Sequence, residues 1–379
     1  MKLRTFLYRD ALDSSVAPDR PGVPGRRLVL VFGASELADC PERLEQIALA
    51  YPSNAMIGCS TSGEIFGTKV SDGTLVVAVA DFERTNVRSA FASVASAADS
   101  YAAGESIAGQ LFTGDLRAVL VLSDGLQVNA SELIRGLNER LPESVVVTGG
   151  LAGDGDKFQR TWVIQDGRPT TKFVTAVGLY GASVRVGHGS KGGWDQFGPE
   201  RVVTRSNANV LFELDHKPAL QLYKEYLGDR AAGLPATGLL FPLSIRLESA
   251  PEKRLVRTIL AVDEGSQSLV FAGDIPEGAF AQLMLANFDR LIEGASIAAA
   301  ASSPNGRMAG DTLAIAISCV GRRLVLGERT EEEIEATVDA LPANTQLIGF
   351  YSYGEISPFA SGRCDLHNQT MTLTTITED

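Results

Sequence analysis

The chain has 379 residues, of which 45% are hydrophobic and 21% are charged, and its formal net charge is −12 at pH 7. This length accommodates about two domains with substantial cores, and the composition is ordinary for a globular protein. The negative charge argues against a nucleic-acid partner, because phosphate binding needs a basic surface. It also gives no reason to expect attraction to an anionic membrane surface.

The N-terminal residues and the cysteines indicate where the protein is located. Charges interrupt the apolar residues of MKLRTFLYRDALDSS, which argues against a secretory signal. No apolar run approaches the roughly 18–20 residues that span a bilayer. The four cysteines, at positions 40, 59, 319 and 364, lack CxxC spacing, so they predict no zinc site and no disulfide framework. We therefore expect a cytoplasmic protein without a membrane partner.

In chain order, the sequence predicts three strand–helix–strand units. Their helices and second strands lie within residues 41–58, 131–150 and 330–349, and an apolar run precedes each helix. Apolar residues in each helix recur with a period of about 3.6, as an amphipathic helix requires. Thr330 and Glu333 match a capping box for the third helix. Each unit therefore delivers a glycine-rich loop from the end of its second strand.

The segments between these units predict further strands and helices. Helices are expected over residues 95–112, after position 217, and over 277–302. Strands outnumber helices, and many occur in adjacent pairs. The predicted fold class is therefore α/β of the mixed α+β type, with mixed sheets flanked by helices and without a purely parallel doubly wound sheet. We expect two domains, residues 1–206 and 207–379.

A repeated motif marks the ends of two of the units. IGCSTSGEI at residues 57–65 returns as IGFYSYGEI at residues 348–356, with five of the nine positions identical. Internal repeats indicate equivalent structural units. We therefore expect two equivalent loops that face one site.

The residue types in these loops suit a ligand pocket. Glycines let backbone N–H groups approach a carboxylate or phosphate, hydroxyls donate hydrogen bonds, and the two glutamates accept from an ammonium group, which together match a zwitterionic amino acid. Aromatic residues would wall the site. The alternative is that each glycine makes a tight turn and each glutamate binds backbone N–H groups of a neighbouring loop. The candidate ligand-binding residues are Gly58, Cys59, Ser60, Thr61, Ser62, Gly63, Glu64, Phe350, Tyr351, Ser352, Tyr353, Gly354 and Glu355.

The end of the second unit, TGGLAGDGDKFQRTWVI, adds a third glycine-rich loop. A dinucleotide fingerprint would need its glycines to open a helix, whereas a strand follows here. Gly150, Gly153 and Asp154 are candidates for a further edge of the pocket, with a plain hairpin turn as the alternative. Asp124 either caps the following helix or faces the site.

An enzyme is the rival interpretation. Cys59 beside Ser60 suggests a nucleophile, and the pair Glu64 and Glu355 suggests a base and an acid. The second copy of the repeat has Phe350 where the first has Cys59, and no nucleophile elbow or local base supports catalysis. We therefore predict that the protein is not an enzyme.

In combination, these motifs resemble the FIST family of paired N-terminal and C-terminal FIST domains. The resemblance covers almost the whole chain, and its motifs are IGCSTSGEI, GGLAGDG, ELDHKPALQLYKEYLG, DIPEG at 274–278, YSYGEI and LHNQTMTL. It implies an intracellular sensor of small molecules such as amino acids. Many relatives fuse this pair to an output domain, for which no residues remain here. The resemblance therefore implies regulation of a separate histidine kinase, diguanylate cyclase or phosphodiesterase, as in two-component systems.

One sub-group of the family binds haem and senses nitric oxide. The segment GHGSKGGWDQFGPER at residues 187–201 looks similar to that sub-group. The resemblance implies a non-covalent haem b with His188 as the axial ligand of the iron and Trp194 beside the cofactor. The alternative is a sensor of amino acids or other small metabolites without haem. The oligomeric state stays open, with a homo-oligomer as one option.

Overall fold

The computed structural model describes residues 1–9, 22–53, 55–303, 310–358 and 363–379. The helices are α1 Pro41–Ala50, α2 Ser100–Leu111, α3 Ala130–Arg140, α4 Ala219–Leu227, α5 Phe288–Ser302, α6 Val320–Leu326 and α7 Thr330–Asp339. The strands are β1 Lys2–Tyr8, β2 Arg27–Ala34, β3 Met56–Thr61, β4 Glu64–Phe66, β5 Lys69–Ser71, β6 Leu75–Asp81, β7 Asn86–Ser93, β8 Leu116–Ser123, β9 Val146–Leu151, β10 Val163–Gln165, β11 Arg168–Thr170, β12 Phe173–Tyr180, β13 Val184–Lys191, β14 Trp194–Asn207, β15 Val210–Leu214, β16 Lys217–Pro218, β17 Leu243–Leu247, β18 Ala250–Arg257, β19 Ile259–Asp263, β20 Ser268–Phe271, β21 Phe280–Ala286, β22 Thr312–Cys319, β23 Thr345–Ser352, β24 Glu355–Pro358, β25 Cys364–His367 and β26 Met371–Glu378.

The three predicted strand–helix–strand units all form. Parallel pairs β2/β3, β8/β9 and β22/β23 enclose α1, α3 and the α6–α7 segment, respectively. The first strands of the units are near-continuous apolar runs, and β2 and β22 are buried along their whole length. Such runs are typical of parallel strands covered on both faces. The predicted mixed α+β fold class is confirmed.

Each unit lies in its own sheet of six strands. The first sheet has the order β1-β6-β2-β3-β10-β11, the second β25-β24-β9-β8-β12-β7, and the third β13-β26-β22-β23-β4-β5. A fourth sheet has the order β18-β17-β21-β14-β15-β20-β19, with β16 paired to β15.

The chain exchanges strands between the first three sheets after each unit. Strand β4 leaves the first sheet and pairs with β23 in the third, β24 leaves the third and pairs with β9 in the second, and β10 leaves the second and pairs with β3 in the first. The three units are therefore linked in a closed cycle. This exchange interlocks residues from both sides of the predicted boundary at 206/207.

A glycine occupies the same place on the second strand of every unit. A Cβ atom added at Gly58, Gly149 or Gly349 would lie 2.1, 1.8 or 1.9 Å, respectively, from a carbonyl oxygen of the unit's first strand. No side chain fits at such distances, so each glycine is required by the close approach of the two strands.

The first three sheets pack around one central core. Their inner faces meet there through apolar residues such as Phe32, Leu122 and Ile317. The outer faces are covered by α1 on the first sheet, α2 and α3 on the second, and α5 and α7 on the third. We call these three sheets with their helices the body.

The fourth sheet and α4, residues 194–286, form a second part with its own core, which we call the lobe. The chain enters the lobe at Trp194 and leaves it at Ala286, and these two residues are paired neighbours on β14 and β21. The two connections between the body and the lobe therefore lie side by side.

Two local predictions were wrong. The helix expected over 277–302 begins only at Phe288, because Phe280–Ala286 pairs with β14 and β17 in the lobe as β21. The capping box is absent, because Glu333 is fully buried and its carboxylate accepts a hydrogen bond of 2.6 Å from Arg322 Nε. Arg322 also donates to the carbonyl oxygens of Gly192 and Leu291.

Among the described residues, no helix has both the length and the apolar character needed to cross a bilayer.

Candidate functional site

The three glycine-rich loops meet through hydrogen bonds. Ser62 N–H donates to Tyr351 O at 2.8 Å, which joins the first loop to the second. Leu151 N–H donates to Gly354 O at 2.9 Å, which joins the third loop to the second. Gly155 N–H donates to Ser62 Oγ at 3.0 Å and closes the ring. The two repeated loops therefore contact each other directly, and the third loop contacts both of them.

The repeated glutamates are buried and hydrogen-bonded near their own loops. Glu64 accepts from the N–H of Thr74 at 2.9 Å and from its hydroxyl at 2.7 Å. Glu355 accepts from the Ser352 hydroxyl at 2.7 Å and from the Thr370 N–H at 3.2 Å. Burial raises the pKa of both carboxyls, that of Glu355 to about 8. This geometry corresponds to the alternative in which each glutamate holds a neighbouring loop, and a ligand-binding role for the pair stays a prediction.

Asp124 makes an equivalent contact in the second unit. Its buried carboxylate accepts from Lys172 N–H at 2.7 Å and from the Thr161 hydroxyl at 2.9 Å. Lys172 directly precedes β12, as Thr74 precedes β6 and Thr370 precedes β26. Each of these three strands is antiparallel to the first strand of its unit. Each unit therefore has one buried carboxylate that fixes the residue before an antiparallel strand, a role that the sequence alone did not assign to Asp124.

The candidate nucleophiles lie in the packed centre of the body. Cys59 is fully buried, and burial raises the pKa of its thiol well above the usual range. Ser60 Oγ accepts a hydrogen bond of 3.1 Å from Trp162 N–H. Neither residue lines either of the two larger cavities described below. The geometry therefore presents neither side chain as an activated nucleophile.

The larger cavity, of about 1110 Å³, lies between the body and the lobe. The body contributes the start of α3, residues 319–325 at α6, and Tyr353 of the second loop. The lobe contributes the turn at 233–240 and residues 258–260 and 271–274. A pocket of this kind, lined by two parts of a protein, is the usual place for a small-molecule site.

A smaller cavity, of about 730 Å³, lies on the other side of the loops. The first loop, residues 61–64, and the third loop, residues 154–157, line it together with Arg323 of α6. Arg323 donates to both carboxylate oxygens of Asp72 at 2.7 Å and to Ser62 O at 2.6 Å, so its guanidinium is already engaged. Both cavities share Asp156, Val320 and Leu324.

The predicted site residues are divided between the cavities and the packed centre. Tyr353 lines the larger cavity, and Thr61, Ser62, Gly63, Glu64 and Asp154 line the smaller one. The predicted residues that line neither are Gly58, Cys59, Ser60, Gly150, Gly153, Phe350, Tyr351, Ser352, Gly354, Glu355, His188 and Trp194.

Sequence reasoning did not find several residues of the larger cavity. The turn at 233–240 and helix α6 were not recognised, because both are short and have no functional motif. Asp274, which lines the cavity, opens the DIPEG motif and was the one available signal. Thr258 lines the same cavity, and its carbonyl oxygen accepts a hydrogen bond of 2.9 Å from the N–H of Ala272, two residues before Asp274.

His188, the predicted haem ligand, lies in the third sheet of the body. His188 pairs with Thr374 on β13, the edge strand of the third sheet, and burial lowers the pKa of its imidazole. A Cβ at its neighbours Gly187 and Gly189 would lie 1.9 and 2.1 Å, respectively, from carbonyl oxygens of α5, so that helix covers one face of the strand. The described lining of the larger cavity contains no histidine. Haem binding by His188 therefore stays a prediction.

Trp194 lies at the junction between the lobe and the body. Trp194 Nε1–H donates to Gln369 O at 2.9 Å, and the ring packs against Leu291 and Val325 where the lobe joins the body. Across the described ranges, no group of three or more His, Cys, Asp or Glu residues is placed to hold a metal ion.

The fold and its cavities define an α+β protein of three interlocked units, with a pocket between this body and an attached lobe. Comparison with protein families identifies the class further. The FIST N domain matches residues 27–217, and the FIST C domain matches residues 219–358. The chain therefore belongs to the FIST family, whose domains are sensory domains of signal transduction that bind small ligands. Among functionally curated proteins, none matches the chain.

Proposed function

We propose that this protein is a cytoplasmic, non-enzymatic sensor that binds a small metabolite in the larger cavity. The observation that supports this proposal is the cavity of about 1110 Å³ lined jointly by the body and the lobe. A ligand in this position contacts both parts at once. Its binding free energy therefore depends on their relative arrangement, as a sensor requires.

The connections between the two parts suit such a response. Because Trp194 and Ala286 are adjacent, the chain passes between the body and the lobe at a single place, where a hinge motion needs few backbone changes. A ligand that contacts both parts favours the arrangement in which they are closest. The surroundings of Trp194 would change with this motion, since its ring packs against residues of both parts.

The signal would pass to a separate enzyme. The family resemblance implies a histidine kinase, a diguanylate cyclase or a phosphodiesterase as this partner. In our proposal the partner recognises the surface of the body and the lobe in their ligand-bound arrangement, either on a single chain or on a homo-oligomer.

A cavity-filling variant tests the site. Ala236 lines the larger cavity and is exposed, so Ala236→Trp adds an indole at the opening with little risk to the fold. The matched control is Ala300→Trp on an exposed position of α5. The low-mass metabolite fraction of growing cells is added to each protein, and the melting temperature is measured. Ligand at about 100 times Kd stabilises the folded state by ~2.7 kcal/mol.

The proposal predicts a raised melting temperature for the wild type and for Ala300→Trp, and a smaller rise or none for Ala236→Trp. An equal rise in all three proteins would contradict a ligand in this cavity. The same purified protein also tests the haem alternative through its absorption spectrum with haem and nitric oxide. A stoichiometric Soret band that is lost in His188→Ala would replace the metabolite by haem as the sensing group.

A further inference from the structure

We propose that the ligand of the larger cavity is an apolar amine whose ammonium group is bound by Asp274 and Thr258. This inference rests on the proposed function, because it concerns the ligand of the same cavity. It follows from three features of the lining: the polar atoms that are left without partners, the sign of the charges, and the apolar side chains around the opening.

Most polar side chains of the cavity already have partners. Asn129 accepts from Glu132 N–H as the cap of α3, Asn209 donates to a backbone carbonyl at 2.8 Å, and Tyr353 donates to the third loop. Two buried atoms differ, since Thr258 Oγ1 and Asp274 Oδ1 have no hydrogen-bond partner among the described residues, although the Asp274 carboxyl also receives a hydrogen bond from Asn129. A buried polar atom without a partner is costly. A ligand donor that reaches these two oxygens would remove that cost.

The charges of the lining favour a cation. The described lining residues include two acidic residues, Asp156 and Asp274, and no lysine, arginine or histidine. Arg257 is outside this lining; it lines a separate cavity of about 230 Å³, to which Asp274 also contributes, and it donates to the carbonyl oxygens of Leu366 at 2.9 Å and Asp274 at 3.3 Å. Burial raises the pKa of Asp274, and an ammonium group beside it would stabilise the charged carboxylate. A carboxylate or phosphate ligand would meet no cationic side chain among the described lining residues.

The opening of the cavity favours an apolar body on that amine. Phe158, Leu240, Leu260 and Leu324 all line the cavity, and each is between 36% and 46% exposed. They come from the third loop, the lobe turn, β19 and α6, so they surround the opening from both parts. Exposed apolar surface grouped in this way marks a binding site. A hydrocarbon chain or ring would cover it, whereas a polyamine would not.

Three probes of equal chain length separate the candidate chemistries. Octylamine, octanoate and octanol are titrated into the wild type, Asp274→Asn and Asp156→Asn by calorimetry. Asp156→Asn is the matched control, because it removes the same charge from an exposed position of the lining. We expect octylamine to bind the wild type at least about tenfold more tightly than the other two, as a charge-assisted hydrogen bond implies. Asp274→Asn should lose this preference and Asp156→Asn should keep it.

Thr258→Val provides a second variant in which the carboxylate is retained, and it should weaken octylamine several-fold without favouring octanoate. Circular dichroism confirms the fold of each variant. Octanoate binding as tight as octylamine, a preference that survives in Asp274→Asn, or no binding of any probe would overturn the amine inference. None of these outcomes alters the test of the cavity itself. The proposed function fails separately, if Ala236→Trp leaves the metabolite-induced rise in melting temperature unchanged.

Discussion

The phenol of Tyr353 donates a hydrogen bond to the carboxylate of Asp154, which joins the second copy of the repeated motif to the third glycine-rich loop. The Tyr353 ring also stacks on Phe158, with the ring centroids 4.5 Å apart and the planes at 14°. Tyr353 and Phe158 line the larger cavity, whereas Asp154 lines the smaller one. This contact is therefore part of the wall between the two cavities.

Tyr353→Phe keeps the stacked ring and removes the hydrogen bond. Asp154 would retain its bonds of 2.8 Å from the N–H groups of Gln159 and Arg160, but one of its buried oxygens would lose its donor. We expect a loss of about 1–3 kcal/mol in the free energy of unfolding, measured in urea. Unchanged stability would show that the contact is not formed in solution.

Glu64→Gln and Glu355→Gln test the two roles of the repeated glutamates. Each amide would place an NH₂ group or a weaker acceptor against donors that now bind the carboxyl oxygens, so we expect each variant to lose about 1–3 kcal/mol of stability. The control is Glu331→Gln, an exposed partner of Lys69, which should change little. Near-normal melting temperatures with weakened metabolite binding would instead support the ligand-binding role predicted from the sequence.

The raised pKa of Glu355 predicts a pH dependence of stability. Desolvation raises this pKa from 4.5 to about 8 in the folded state. Between these values the folded chain binds more protons at this site than the unfolded chain, so stability falls as the pH rises through this window. Urea unfolding between about pH 5 and about pH 9 should show this decline in the wild type, and Glu355→Gln should flatten it. Equal slopes for the two proteins would contradict the assignment to Glu355.

The close approach of the paired strands predicts opposite effects for two glycine substitutions. Gly349→Ala would place a Cβ atom 1.9 Å from the carbonyl oxygen of Ala316, and we expect a loss of roughly 4 kcal/mol or failure to fold. Gly109 lies in α2 with no atom within 4 Å of an added Cβ. Gly109→Ala should therefore stabilise the protein by about 0.5–1 kcal/mol. Thermal unfolding measures both, and similar melting temperatures would argue against the strand geometry.

The units of the fold could be predicted from sequence, but their linkage could not. Helical periodicity and apolar strands are local signals, and they identified all three strand–helix–strand units. The exchange of β4, β24 and β10 between sheets depends on tertiary pairing, which a three- or four-residue strand does not encode. The strand β21 was mistaken for helix because its apolar residues precede a true helix without a turn signal.

The site was predicted only in part for a similar reason. The repeat identified the loops that meet, yet it drew attention to glutamates whose donors come from Thr74 and Thr370 nearby in the chain. In the second unit, Val163 takes the place of the glutamate, since it pairs with Cys59 as Glu64 pairs with Phe350. The repeat therefore did not indicate Asp124. The cavity itself is formed by short segments of the lobe and α6, which only the tertiary structure brings together.

Hydrogen–deuterium exchange with and without the low-mass metabolite fraction tests the central claim most directly. A ligand between the body and the lobe should protect the backbone at 125–130 and 319–325 in the body together with 233–240 and 258–260 in the lobe. Ala236→Trp should abolish this joint protection, and Ala300→Trp should keep it. Protection confined to one part, or a rise in melting temperature without protection of these segments, would contradict a sensor that binds its ligand between the body and the lobe.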